Sequence, residues 1–221
     1  MTIARSSDLQ GVPNPQTSSG NIDGSSGSAR RVLVIGATGT IGRATVRALV
    51  ERGHEVVCLT RPHAGPGGKM DRAAIAEMLS GATVRIGDPT DPLSLKADGI
   101  AGETFDAVIS CLASRTGRPG DAWSIDYGAH MGALAVAKEA RIPQFILLSA
   151  ICVQKPRLEF QKAKLAFEKE LVNSGLTYSI VRPTAFFKSL SGQVDRVRQG
   201  KPFLLFGDGN LTACKPISDA D

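Results

Sequence analysis

The chain has 221 residues, 42% of them hydrophobic and 21% charged, and its 26 Lys and Arg against 21 Asp and Glu leave a net charge of +5. That length buries one good core with at most a small appended lobe. The longest apolar runs, VLVIGA and QFILLSAICV, fall far short of the roughly 20 residues that span a bilayer, so no transmembrane segment is expected.

The basic residues are spread along the chain, which argues against a nucleic-acid partner and suits small anionic ligands. Cys58, Cys111, Cys152 and Cys214 are far apart and form no C-x-x-C pair, so a reduced intracellular protein without a metal is expected. Residues 1–29 are rich in Ser, Gly, Pro and Asn and nearly free of large apolar side chains, the composition of a disordered extension. A tag or natural tail is the preferred origin, and a transit peptide stays open.

Residues 31–42, RVLVIGATGTIG, organise the rest. Val32, Leu33, Val34 and Ile35 form an apolar run suited to a strand buried on both faces. Gly36, Gly39 and Gly42 follow at spacing three: the first for a tight turn, the second for close approach of a pyrophosphate, the third for packing of helix on strand. A helix starting near Thr40 then offers free N–H groups and its positive dipole end, making Thr38, Gly39, Thr40, Ile41 and Gly42 candidate phosphate contacts. An amphipathic helix after the turn and a strand at 55–60 supply the context that a dinucleotide-binding motif requires; the plainer reading is a strand–turn–helix packing motif.

The second strand leads straight into Arg61, near where an NAD-binding chain usually carries an acid for the ribose 2′-hydroxyl. With Arg43, it offers guanidinium partners to a 2′-phosphate, so NADP is expected over NAD; the alternative is two solvated arginines. Lys69, in a flexible loop at 63–70, would add to that phosphate site. A helix is predicted over 71–79 and a third strand over 83–87, leading to Asp88, which would sit at the adenine edge, although GDPTD also makes an ordinary turn and N-cap. A fourth strand over 105–111 is followed by Leu112, Ala113 and Ser114, small enough for the cofactor's ribose to lie against the chain.

A helix over 121–140 carries Trp123, Asp126, Tyr127 and His130, the histidine read as a satisfied or exposed helix residue and not a catalyst. The fifth strand, 144–150, ends at Ser149, at the carboxyl edge where open α/β sheets bind ligands. In a helix over 157–174, Phe160, Lys164, Phe167 and Leu171 share one apolar face. A lysine there needs a partner such as ribose hydroxyls or a carboxylate, unless it snorkels to solvent. A sixth strand over 177–182 closes at Pro183. Residues 184–190 and 192–199 read as helical, 201–214 as a hairpin turning on 207–210, and 217–221 as a helix start with no helix after it. The alternation predicts an α/β fold, a doubly wound parallel sheet of Rossmann type with right-handed crossovers.

The glycine turn, Arg61, Ser149, Lys164 and the Val181-Arg182-Pro183 run resemble an atypical short-chain dehydrogenase/reductase of the NmrA-like group. More narrowly, SCLASR at 110–115, WSIDY at 123–127, LLSAICVQKP at 147–156, LEFQKAKLAFEKEL at 158–171, YSIVRPTAFFKSLSGQV at 178–194 and GKPFLLFGDGNLTACKPIS at 200–218 are similar to the family of NADPH-dependent divinyl chlorophyllide a 8-vinyl reductases. The resemblance implies an NADP-binding domain over 30–182, with Pro183 at the cofactor, and 183–221 as part of an incomplete substrate lobe, since the family's chain continues further. It implies NADPH as cofactor, a divinyl chlorophyllide or protochlorophyllide as tetrapyrrole substrate, and reduction of the 8-vinyl group to ethyl in (bacterio)chlorophyll biosynthesis. A bacterial cytoplasm is the expected location, or a plastid if residues 1–29 are a targeting segment, with peripheral membrane association left open.

One departure bears on mechanism. The superfamily's Y-x-x-x-K, a phenol that exchanges a proton and a lysine that lowers its pKa, reads here as Phe160-Gln161-Lys162-Ala163-Lys164. Loss of the phenol argues against carbonyl chemistry and fits a carbon–carbon double bond. Lys164 would then bind ribose, with Tyr127 the first candidate for proton delivery. Phe186 and Phe187 would face the nicotinamide or the tetrapyrrole, and Lys188, Arg196 and Arg198 a propionate. Two other readings stand beside this one: a non-catalytic NADP(H)-sensing regulator, and a reductase of another conjugated small molecule.

Overall fold

The computed structural model describes residues 2–3, 28–65, 68–204 and 215–218. Strand β2 (Arg31–Ile35) buries four residues in a row because it is covered on both faces. Its side chains alternate between two cores. Leu33 and Ile35 join Val57, Leu59, Val108, Phe145, Leu147, Phe167 and Leu171 on one side, while Val32 and Val34 join Val46, Val56, Cys58, Ile75, Leu79 and Ile109 on the other.

Helix α1 (Thr40–Glu51) follows the glycine turn, then β3 (Glu55–Thr60), α2 (Arg72–Met78), β4 (Thr83–Ile86) and α3 (Pro92–Ser94). The chain continues through β5 (Ala107–Ser110), α4 (Pro119–Asp121), α5 (His130–Glu139), β6 (Gln144–Leu148), α6 (Glu159–Val172), β7 (Thr177–Arg182) and α7 (Ser191–Arg198). Strands β7-β6-β5-β2-β3-β4 pair in parallel in that order, which is the Rossmann order with its switch point between β2 and β5. The doubly wound sheet expected from the alternation of elements is therefore present.

A short strand β1 (Thr2–Ile3) adds antiparallel to the β7 edge, opposite Arg182 and Val181. Of the extension expected over 1–29, residues 1 and 4–27 lie outside the described residues, as do the hairpin tip at 207–210 and residues 219–221. The N-cap that GDPTD also allowed is used: a helical stretch not otherwise expected runs over 92–100. There Asp91 accepts from the Leu93 amide with Pro92 in the first turn, and a π-helical stretch follows over Leu95–Ile100. The long helix expected at 121–140 is real but composite, widening to a π-helix over Ala122–Ala129 between α4 and α5. Among the described residues, no helix is long and apolar enough to cross a membrane.

Candidate dinucleotide-binding site

The chain leaves β2 on Gly36, whose φ is +78° and whose missing Cβ would stand 2.5 Å from the Cys111 carbonyl carbon at the end of β5. Only glycine tolerates both conditions. A Cβ on Gly42 would lie 2.2 Å from the Gly36 carbonyl oxygen, so the start of α1 rests directly on the turn. Gly39 is the N-cap of α1; it supplies no side-chain cap, and the first turn holds no acidic residue. The helix therefore presents its positive end without an internal anion, an arrangement matched to phosphate.

That end opens into a cavity of about 910 Å³ at the switch point, which is room for a dinucleotide. Gly36, Thr38, Gly39, Thr40, Ile41, Gly42, Arg43, Arg61, Leu112, Ala113, Ser149, Lys164 and Phe186 all line it, so most of the residues expected at a cofactor site come together. Five cationic side chains, Arg43, Arg61, Arg115, Lys164 and Lys188, share its wall with one carboxylate, Asp126.

The floor is a buried polar network. The Lys164 ammonium sits 3.1 Å from Asp126 Oδ1, with side-chain exposures of 6% and 0%, and donates to the Leu148 carbonyl oxygen at 3.3 Å. The partner demanded by an inward lysine is thus a carboxylate. Asp126 also accepts from the Ser114 amide at 3.4 Å, tying the β5 loop to the helix. Next to this pair, Ser149 Oγ donates to Glu168 Oε1 at 2.5 Å, and Arg182 holds Glu168 through Nε at 3.1 Å and Nη2 at 2.5 Å. The hydroxyl proton of Ser149 is therefore committed inward, and the side chain offers the cavity only lone pairs. Phe160, where a phenol would stand in Y-x-x-x-K, lines the cavity above Lys164.

His130 is fully buried behind the floor. Its Nδ1 lies 2.9 Å from the Ile125 carbonyl oxygen, which fixes the proton on Nδ1 and leaves Nε2 to accept from Ser110 Oγ at 2.8 Å. Burial, and secondarily the Lys164 charge, hold its pKa down to about 3, so it is a neutral, satisfied core histidine. Burial likewise pushes Cys111, on the cavity wall, up to about 11, keeping it a thiol.

Other expected residues fall elsewhere. Tyr127 packs half-buried against the core, its ring 5.7 Å from that of Trp123, outside the cavity lining. The Asp88 carboxylate accepts from the Thr90 amide at 2.9 Å and its hydroxyl at 2.7 Å, making the turn that GDPTD also allowed. Pro183 lines a second cavity of about 720 Å³, between α1 and β5 to β7, which Phe186 also borders. Phe187 is 58% exposed and borders neither cavity. Lys69 and Arg196 stay outside the lining, and Arg198 pairs with Asp195 at 3.7 Å in solvent. Sequence reasoning missed Asp126 and Arg115. An acid in an otherwise apolar helical stretch was the one available signal for Asp126.

These features define a class, the proteins that bind a dinucleotide across the switch point of a Rossmann sheet. The NAD(P)H-binding family matches residues 36–209, and the chain belongs to it. It is 50% identical over 198 residues to the chloroplastic divinyl chlorophyllide a 8-vinyl-reductase of Arabidopsis thaliana, covering 86% of this chain and 47% of that one. It is 31% identical over 164 residues to the photosystem II assembly factor Ycf39 of Synechocystis sp., covering 74% of this chain and 47% of the relative. The chain thus spans about half the length of these relatives. In fold it is similar to a UDP-glucose 4-epimerase from Thermotoga maritima, with a TM-score of 0.67 and 18% identity, covering 81% of this chain and 66% of that one.

Proposed function

We propose that the chain is the cofactor-binding part of an NADPH-dependent reductase that converts the 8-vinyl group of a divinyl chlorophyllide or protochlorophyllide to ethyl. The observation that carries this reading is the composition of the cavity floor. It keeps the lysine of the superfamily but has Phe160 in place of the phenol, and its serine hydroxyl donates to Glu168 and not into the cavity. A carbonyl substrate needs a donor on its oxygen as charge develops there. A conjugated vinyl group does not, because the macrocycle delocalises the charge. The 50% identity to the plant reductase supports the same substrate class.

NADPH, when bound, supplies the hydride. The chain's residues align it: the first-turn amides of α1 hold the pyrophosphate, Arg43 and Arg61 the 2′-phosphate, and Lys164, fixed by Asp126 and the Leu148 carbonyl, the ribose. Tyr127 lies outside the cavity lining, so proton delivery falls to water or to the Lys164 ammonium. Residues 183–221 belong to the substrate lobe, and the location is a bacterial cytoplasm or a plastid.

The test is to incubate this chain, and in parallel a chain of the relatives' full length, with NADPH and divinyl chlorophyllide, and to look by mass spectrometry for a pigment heavier by two hydrogens. Product from either supports the reductase. The likeness to an assembly factor favours a second reading, a non-catalytic NADP(H)-binding protein. Tight NADPH binding by both chains without product would select it.

A further inference from the structure

Lys188 reaches back across the fold to the glycine turn. Its Nζ lies 2.6 Å from the hydroxyl of Thr40, the first residue of α1, and both residues line the large cavity. The contact joins positions 148 apart in sequence. Lys188 is held there by its own backbone. Phe186 and Ile217 form a parallel bridge in which the Phe187 amide donates to the Ile217 carbonyl at 3.1 Å and the Ile217 amide to the Ala185 carbonyl at 3.0 Å. The Ser191 hydroxyl then donates to the Lys188 carbonyl at 2.8 Å.

An ammonium is electrostatically misplaced at this point. Helix N-termini carry partial positive charge and attract anions, while cations are favoured at the opposite end. The first turn of α1 has no acidic residue to offset Lys188, and among the described residues no carboxylate forms an ion pair with it. A neutral hydroxyl is a weak partner for a charge. An anion lying between the ammonium and the helix end satisfies both at once.

We propose that Lys188 clamps the pyrophosphate of the bound dinucleotide from the side opposite the α1 amides, so that the segment around 184–188 closes on the cofactor and not on a carboxylate of the substrate. This inference rests on the dinucleotide-binding reading of the cavity and not on the identity of the reducible substrate. Because the pyrophosphate is common to NAD and NADP, the clamp acts on both, whereas Arg43 and Arg61 act on the 2′-phosphate alone.

The experiment is calorimetric titration of the wild-type chain and of Lys188→Gln, Lys188→Arg and Arg61→Ala with NADP⁺, NAD⁺ and 2′-AMP, which lacks the pyrophosphate. Lys188→Gln is expected to weaken NADP⁺ and NAD⁺ by a common factor of roughly tenfold or more while leaving 2′-AMP unchanged. Lys188→Arg should retain most of the affinity. Arg61→Ala should weaken NADP⁺ and 2′-AMP and spare NAD⁺. Unchanged dinucleotide affinity in Lys188→Gln, or a loss confined to NADP⁺, would overturn the clamp. Failure of the wild-type chain to bind either dinucleotide would overturn the cavity reading itself.

Discussion

The Lys164 ammonium and the Asp126 carboxylate meet at 3.1 Å with both side chains closed off from solvent, one on α6 and one in the π-helical stretch of the neighbouring helix. Removing one partner leaves the other charge unpaired where little of its side chain reaches solvent. Asp126→Ala should therefore lower stability by about 3–5 kcal/mol in urea unfolding. The double variant Lys164→Met, Asp126→Leu should recover much of that loss, because no unpaired charge remains. Equal destabilisation by the single and double variants would show that packing, and not the charge pair, dominates.

Gly42 is a position where one methyl group decides the outcome. Its Cβ would stand 2.2 Å from the Gly36 oxygen and 2.8 Å from the Ala37 Cα, both backbone atoms. Gly42→Ala should cost about 1–3 kcal/mol and displace the turn that holds the cofactor, so NADPH affinity should fall with stability. Gly192→Ala, near the start of α7 with open space around it, should be neutral or stabilising by about 0.5–1 kcal/mol. Paired unfolding curves compare the two.

Arg61 and Arg43 both border the cavity at the glycine turn and the end of β3, with no acid among the lining residues beside them. Loss of a charged hydrogen bond to phosphate is worth about 1.5–3 kcal/mol. Arg61→Ala should therefore raise the Kd for NADPH by roughly 10- to 100-fold and leave NADH within about twofold. Fluorescence titration with the two reduced cofactors measures the ratio.

His130 makes stability depend on pH in one direction. The folded state holds its pKa at about 3, against 6.5 for a free imidazole. Between those values the unfolded chain binds the extra proton, so stability rises with pH up to about 6.5 and the contribution is lost on acidification. His130→Gln keeps a donor for Ile125 and an acceptor for Ser110. The stability loss between pH 6.5 and 4.5 should be smaller in this variant than in the wild type by about 2–3 kcal/mol. Denaturant midpoints at the two pH values test the difference.

The sheet was legible because period and punctuation agree at each strand. The predicted strands at 55–60 and 177–182 match β3 and β7 residue for residue, and the glycines mark the turn by steric need alone. The helical stretch at 92–100 was hidden because an Asp N-cap followed by Pro reads equally as a turn, and its π-helical continuation breaks the 3.6 period. The rim of the site was local enough to read, and so were Lys164 and Ser149 on its floor, but the carboxylates that hold them were not. Lys164 called for a partner, yet the identity of that partner depends on how two helices cross, which spacing within either one does not encode. Tyr127 shows the converse: next to Asp126 in sequence, it packs half-buried against the core and not in the cavity lining.

The five cations around one carboxylate on the cavity wall also have a kinetic consequence. A polyanionic cofactor approaching such a mouth is drawn in before it touches anything, and encounter quickens when the attraction is felt beyond contact. At physiological ionic strength that reach shrinks to about 8 Å. Added salt should slow capture far more than it hastens escape, and other crowded polyphosphates will contend for the same doorway.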